Sequence, residues 1–424
     1  MSNNSIASKN QNLATIVAIA FAILAPVIPA ILLVASANSF GAVSDLPEYY
    51  CAAKLALGGA GAKIYELAYF AAFEQAMFPE LSGRIIGFYV PPIAVPLFWF
   101  IGVLSTGAAK LLWPRFLLLL LLISFALLSR LYSLSFKQRL WLFAVLSLSG
   151  PIYETLRIGQ IAPLLLLSFV GSLYYLSKNR PLAAGLCLVC MLLKPQELLP
   201  VLIFLLAARQ YKAILGFLAA AITTSIISWP LIGVEGYANY FKLLNYSSVH
   251  SELMQPELGP TLRGQLLRLV PGFFGQGAGA AAAPDAQLIQ YVSLASLVIL
   301  VLALGSIYYV GNKFKGRQEA SQIAETMTLI MPLGLVTALH CHIYDLVLLI
   351  PCLIVLGAKY SAKPVEALGL MLGLMPFLLP FYIYIHYDYL LKGGVINPLF
   401  VLLLVLAGYT GMKIFMKFQR ASLE

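Results

Sequence analysis

Charge is what this chain has least of. Only 10% of its 424 residues are Asp, Glu, Lys or Arg, against about 25% in soluble globular domains, which excludes a water-soluble enzyme with an ordinary polar surface. Cysteine is sparse too: five are scattered along the chain, so no disulfide framework is available. Cys187 and Cys190 have a metal-like spacing but lie in an apolar segment, where they read as packing. There are only four histidines. His340 and His342, two residues apart, do not share a helix face, which argues against a joint metal site. The alternation of an outer-membrane barrel is missing, since runs such as LLLLLLISFALL at 117–128 are continuous. No internal repeat and no separate soluble domain can be found.

What the chain does have is 61% hydrophobic residues, gathered in runs of about 17–25 residues, each long enough to cross a hydrocarbon core as a helix. The fold class that follows is all-α, a polytopic membrane protein of about 12 transmembrane helices forming one integral domain over residues 1–424. The first run, ATIVAIAFAILAPVIPAILLVAS, is too long for a signal-peptide core and reads as a retained helix. A net charge of +10 resides in short Lys/Arg clusters, such as Lys178 with Arg180, Arg209 with Lys212, and Lys413 with Lys417. These fit positive-inside sorting rather than a nucleic-acid surface. The expectation is a multi-pass protein of the cell inner (plasma) membrane, with both termini inside and its polar motifs on the non-cytoplasmic face.

Two loops are too long to be simple links. Residues 36–85 are expected to carry two amphipathic surface helices in the first external loop, and residues 231–286 to form a long external loop containing the small-residue tract AGAAAAPDA. Between Lys178 and Arg209 two spans of only about 13 residues must fit, shorter than a normal crossing, with a break at Lys194 beside a wet cavity. Three apolar segments near 86–107, 110–133 and 139–156 join two external points, so one must be bent. Pro91-Pro92, Trp113-Pro114 and Gly150-Pro151 are the candidate breaks.

Ionisable groups that persist near membrane depth are costly and call for a functional account. They are Asp45 with Glu48 and Tyr49; Tyr89; Glu154, Arg157 and Gln160; Lys194, Gln196 and Glu197; Arg263; and His340, His342, Tyr344 and Asp345. Singly, each has an ordinary explanation, Asp45 as a helix cap and Arg157 or Lys194 as snorkelling cations. Together, cations that grip a lipid phosphate and a carboxylate that strips a proton from a sugar hydroxyl describe glycosyl transfer. Tyr65, Phe73, Tyr237 and Tyr240 are candidates for an acceptor groove.

A resemblance sharpens this. Asp45-Leu46 ahead of Tyr49-Tyr50 with Gly58 and Ile64-Tyr65, then GFYVPPIAVPLFWFIGVL, RIGQIAPLLLLSFV, RPLAAGLCLVCMLLKPQELLPVLIFLLAARQ, PTLRGQLLRL and HCHIYDLVLLIPCL, resemble in this order glycosyltransferase family 87 over about residues 40–355. The resemblance implies a GT-C fold and an inverting transfer of mannose from a polyprenyl-phosphate carrier to an acceptor hydroxyl on a glycolipid or glycan. It implies Asp45 as general base and His340 as the active-site histidine, with His342 as an extra. It also places Arg157, Gln160, Lys194 and Gln196 on the wall of a lipid-facing donor cavity, to which the loop cation Arg263 adds a phosphate contact. Glu48, Tyr49, Tyr89, Tyr344 and Asp345 would support the site or meet the acceptor. No cofactor, metal or nucleic acid is expected, the partners being the lipid-linked sugar, the acceptor and the bilayer. Pro47 and Glu48 depart from a pattern that is usually apolar there, and Glu48 competes with Asp45 as base. Two rivals stand: a flippase or transporter of lipid-linked sugars, and an oligosaccharide ligase or polymerase with a diphosphate-linked donor.

Overall fold

The computed structural model describes residues 23–35, 44–83, 86–249, 256–270, 286–314, 320–360 and 377–421, with single positions at 16, 19 and 20. Helix is the regular structure of these residues and no strand occurs among them, in keeping with the all-α reading. Among the described residues, four helices are long and apolar enough to cross a membrane: Thr106–Leu131, Tyr211–Ser247, Gln287–Asn312 and Pro398–Gln419. Pro92–Gly102, Ala162–Ser177, Pro181–Leu193, Pro195–Ala207 and Ile343–Gly357 are apolar but shorter, so much of the interior is built from helices that end within the molecule. Most of the first apolar run, and residues 278–285 of the small-residue tract, lie outside the described residues.

Thr106–Leu131 shows how a membrane helix sorts its faces. Ala109, Trp113, Leu117, Leu120, Ser124 and Leu128 are buried at three- and four-residue spacing, while Leu111, Leu118, Leu119 and Leu122 stay exposed. The outer face is as apolar as the inner one, because lipid exerts no hydrophobic drive between helices. Trp113-Pro114 does not break this helix. A proline removes one backbone bond, which a membrane helix tolerates, and Trp113 is pinned by a hydrogen bond from its indole nitrogen to the Gly159 carbonyl (2.7 Å). The breaks fall at the other two places. Pro92–Phe98 winds as a tight 3₁₀ segment, and a new helix, Gly150–Ile158, starts at the Ser149 cap. Lys194 indeed separates two short helical stretches, Leu188–Leu193 and Pro195–Ala207.

The two helices of the first loop differ from each other. Leu67–Met77 buries only Phe70, Ala71 and Glu74, as a surface-lying helix should. Leu46–Leu57 instead buries ten of its twelve residues and forms an interior wall. Its small residues explain the difference: Ala53 lies so close to Gly102 that a Cβ there would sit 2.8 Å from the alanine methyl. In the expected 231–286 loop, helix continues beyond Pro230 to Val249, kinked at Gly233 (φ 67°), and Leu262–Arg268 forms a further short helix.

The closest helix crossing uses reciprocal glycines. A Cβ on Gly185 would overlap the Ala213 carbonyl, and one on Gly216 would overlap the Leu182 carbonyl, so Pro181–Cys187 and Tyr211–Val249 touch backbone to backbone. Gly216→Val should therefore lower the thermal unfolding midpoint in detergent, by about 1–3 kcal/mol of stability. Gly305→Val, at a position with open space, should leave the midpoint unchanged. Equal midpoints for the two variants would refute this packing.

Candidate functional site

The sequence RIGQ builds the centre of the site. Gly150–Ile158 ends at Gly159, whose left-handed backbone (φ 73°) suits glycine. A Cβ there would also press on Ser44 Oγ at 2.8 Å and the Trp113 indole nitrogen at 3.1 Å. The turn exposes two carbonyls: Ile158 accepts from the Asp45 N–H (2.7 Å) and Gly159 from Trp113. The next side chain, Gln160, then meets the first loop, its amide Nε2 donating to Asp45 Oδ2 and its Oε1 accepting from the Tyr49 hydroxyl at 3.2 Å. Asp45 occupies the N-cap of Leu46–Leu57 but makes no side-chain capping bond, so the ordinary cap explanation does not account for its carboxylate. Tyr49 stacks on Phe98 (4.9 Å) and lies tilted against Trp113 (5.6 Å).

Glu48, three residues on, is buried beside Asp45. Burial first, and then the charge of Asp45, push its carboxyl well above the usual range. Glu48 therefore holds its proton more tightly than a free carboxyl, and the Gln160 amide donates to Asp45 Oδ2. Tyr89 is half-buried nearby, and burial pushes its hydroxyl up from the usual range.

The second half of the site forms around Lys194. Its ammonium, on the break between the short helices, is bound to the fully buried Asp345 and lies 4.5 Å from the centre of the Tyr344 ring. Asp345 and His342 cap each other across a tight turn. The His342 N–H donates to Asp345 Oδ2 (2.8 Å) and the Asp345 N–H donates to the imidazole. His340 sits edge-on against His342 with ring centres 4.5 Å apart. Arg263 comes from the far loop, donates to the Leu339 carbonyl (3.4 Å), and is in no ion pair among the described residues. Burial, the neighbouring imidazole and Lys194 all disfavour a charged His340, and burial followed by Lys194 brings His342 down to about 3. Both imidazoles are neutral near pH 7.

Not every expected residue joins. Gln196 is half-buried but makes no hydrogen bond with this cluster. Arg157 is next to the RIGQ turn, yet its guanidinium is committed to Glu154, with Nε donating to Oε2 at 3.0 Å. Tyr65 donates to the Val90 carbonyl (2.9 Å) and packs edge-on against Tyr240, so both serve the scaffold. Two of the cations expected on the cavity wall, Arg157 and Lys194, each carry a carboxylate partner. Sequence inspection missed Tyr387, whose hydroxyl bonds Glu154, and gave Glu197 no role. Glu197, Cys341 and Asp345 bring their ligand atoms within 4.8 Å of one another. They fit a divalent ion poorly, because Lys194 already neutralises Asp345 and burial keeps the Cys341 thiol protonated.

Two outcomes follow. Gly159→Ala should disrupt the turn, costing about 1–2 kcal/mol for the left-handed backbone alone and lowering turnover with stability, as read by thermal midpoint and activity together; an unaffected variant would show that the turn does not matter. The stability associated with a neutral buried His342 is fully present above the free imidazole pKa of about 6.5. It is lost as pH falls toward about 3, because the unfolded chain takes up a proton that the folded chain refuses. His342→Gln should flatten the fall in stability between about pH 6 and 4, by up to about 1.4 kcal/mol per pH unit. Parallel curves for variant and wild type would contradict the burial argument.

Comparison with known proteins fits this arrangement. Residues 88–332, more than half of the chain, match glycosyltransferase family 87. The matched stretch is narrower than residues 40–355; it holds Tyr89, Arg157, Gln160, Lys194, Gln196 and Arg263, whereas Asp45 and the His340–Asp345 turn lie beyond it. No curated protein and no solved structure matches the chain. With apolar helices long enough to cross a bilayer and this match over most of the helical core, the chain belongs to glycosyltransferase family 87, and is a membrane glycosyltransferase.

Proposed function

We propose that the enzyme transfers a sugar, mannose in the first instance, from a polyprenyl-phosphate carrier to an acceptor hydroxyl on a glycolipid or glycan at the outer face of the plasma membrane. The observation that carries this reading is a buried carboxylate, Asp45, fixed by Gln160, with Lys194 from a distant helix break near enough for its charge to act on the neighbouring Glu48. Asp45 takes the proton of the acceptor hydroxyl as its oxygen bonds to the anomeric carbon from the side opposite the phosphate. The bond between that carbon and the phosphate oxygen breaks, the electron pair leaves with the carrier phosphate, and the anomeric centre inverts. Fixed positive charge in a site of low polarity stabilises the departing phosphate. Arg263, which is in no ion pair among the described residues, leads this group, with Lys194 and Arg157 behind it. Neutral His340 and His342 serve as hydrogen-bonding groups. The reaction draws on no cofactor or metal.

An apolar cavity of about 390 Å³ supports a lipid-linked donor. Leu346, Val347 and Ile350 line one side, starting directly after Asp345, and Trp141, Leu142 and Pro151 line the other, ending one turn before Glu154. A prenyl chain seated there would have its phosphate at the polar cluster.

The test is transfer of labelled mannose from polyprenyl phosphate mannose into a membrane acceptor. Asp45→Asn should lower turnover by about 10²–10⁴-fold while leaving saturable binding of the donor in place. Glu48→Gln, which mimics the protonated carboxyl, should keep most of the activity. Turnover within tenfold of wild type for Asp45→Asn would remove Asp45 as the base, and lipid movement across liposomes without any transfer would favour the flippase instead.

A further inference from the structure

Residues 379–397 lie beyond the stretch that matches the family, yet they close one wall of the site. Leu379–Ile383 is α-helical and Tyr384–Leu390 widens into a π-helix, a rare form that recurs at functional sites. The wide turn stacks Tyr382 on His386 (5.6 Å, 12°) and sets His386 edge-on to Tyr387 (4.8 Å). Tyr382 is buried against Gly150, where a Cβ would overlap its ring. The Tyr387 hydroxyl reaches both carboxylate oxygens of Glu154, at 3.1 and 3.4 Å. Glu154 in turn holds the Nε and Nη2 edge of Arg157, and the Tyr387 ring centre lies 5.8 Å from the guanidinium carbon. The segment is anchored from the family core: Arg268 donates to the Leu390 carbonyl at 3.0 Å and to Gly394, and Gln265 donates to the Val395 carbonyl at 2.9 Å.

An ion pair three residues apart on one helix is a weak constraint, worth a few tenths of a kcal/mol, and leaves two long side chains free to rotate. Here the carboxylate is buried and gripped by a third group from 233 residues away. One edge of the guanidinium is thereby fixed, and Nη1 makes no hydrogen bond among the described residues.

We propose that Tyr387 is a positioning residue for the donor: through Glu154 it holds Arg157 so that Nη1 meets the phosphate of the lipid carrier. This rests on the lipid-phosphate reading above. The step is a hydrogen bond and a charge contact, with no covalent change at Tyr387 or Glu154.

The experiment measures binding of polyprenyl monophosphate and the steady-state kinetics of transfer for wild type, Tyr387→Phe, Arg157→Met and the double variant. Tyr387→Phe should weaken polyprenyl monophosphate binding and raise the donor KM by about tenfold, the size of one lost charge-assisted contact, with a thermal midpoint close to wild type. In the Arg157→Met background the same change should have no further effect on binding or KM, because the group it orients is gone. The proposal falls if Tyr387→Phe leaves binding and KM at wild-type values. It also falls if its effect persists undiminished without Arg157, or if only stability and kcat drop together. A wild-type protein that does not bind polyprenyl monophosphate saturably would remove the donor reading and this proposal with it, whereas saturable wild-type binding with an unaltered Tyr387→Phe removes this proposal alone.

Discussion

A single amide, Gln160, joins two parts of the chain 115 residues apart. Its nitrogen serves the Asp45 carboxylate and its oxygen the Tyr49 hydroxyl, so both its polar atoms are used in one orientation. The bond forms only because Gly159 turns the backbone through a left-handed conformation and lends its carbonyl to Trp113, while Ile158 accepts from the Asp45 backbone. The first loop is thus docked by backbone and side chain together onto the end of Gly150–Ile158. A carboxylate held this way, by its own backbone and by an amide, is positioned far more narrowly than one on a free loop.

Charge balance is the second constraint. Burying a free ammonium or guanidinium is costly, and removing one partner of a buried pair commonly destabilises by about 3–5 kcal/mol. Lys194 and Arg157 each come with a carboxylate, Asp345 and Glu154, and both carboxylates carry further bonds, from the His342 backbone and the Tyr387 hydroxyl. The cations are therefore rigid donors rather than loose counterions. Arg263 differs: among the described residues it donates to a backbone carbonyl and is in no ion pair.

Much of this was legible in the sequence, for identifiable reasons. The low charge and long apolar runs announced a helical membrane protein, and the shortness of the stretch between Lys178 and Arg209 announced the break at Lys194. The RIGQ turn stood out through the family resemblance, and Asp45, Lys194 and the His340–Asp345 turn were conspicuous as polar residues in an apolar chain. The burial of Leu46–Leu57 was not legible, since alanine and cysteine suit a surface helix as well as a close backbone approach. Nor were the partners. Lys194 meets Asp345 across 151 residues and Glu154 meets Tyr387 across 233, and such pairings follow from tertiary packing, on which local periodicity is silent. Pro114 misled because a proline seen alone reads as a break, whereas Trp113 locks that helix from outside it.

The account depends on one shared pocket, with Asp45 on one side and the basic groups on the other. The most direct measurement is a structure of the full chain with polyprenyl monophosphate bound. The phosphate is expected within hydrogen-bond distance of Arg263 and of Lys194 or Arg157, its prenyl chain along Leu346 and Trp141, and the space between phosphate and Asp45 sized for one hexose. A phosphate seated on another face of the molecule, with Asp45 sealed from it by protein, would contradict the account.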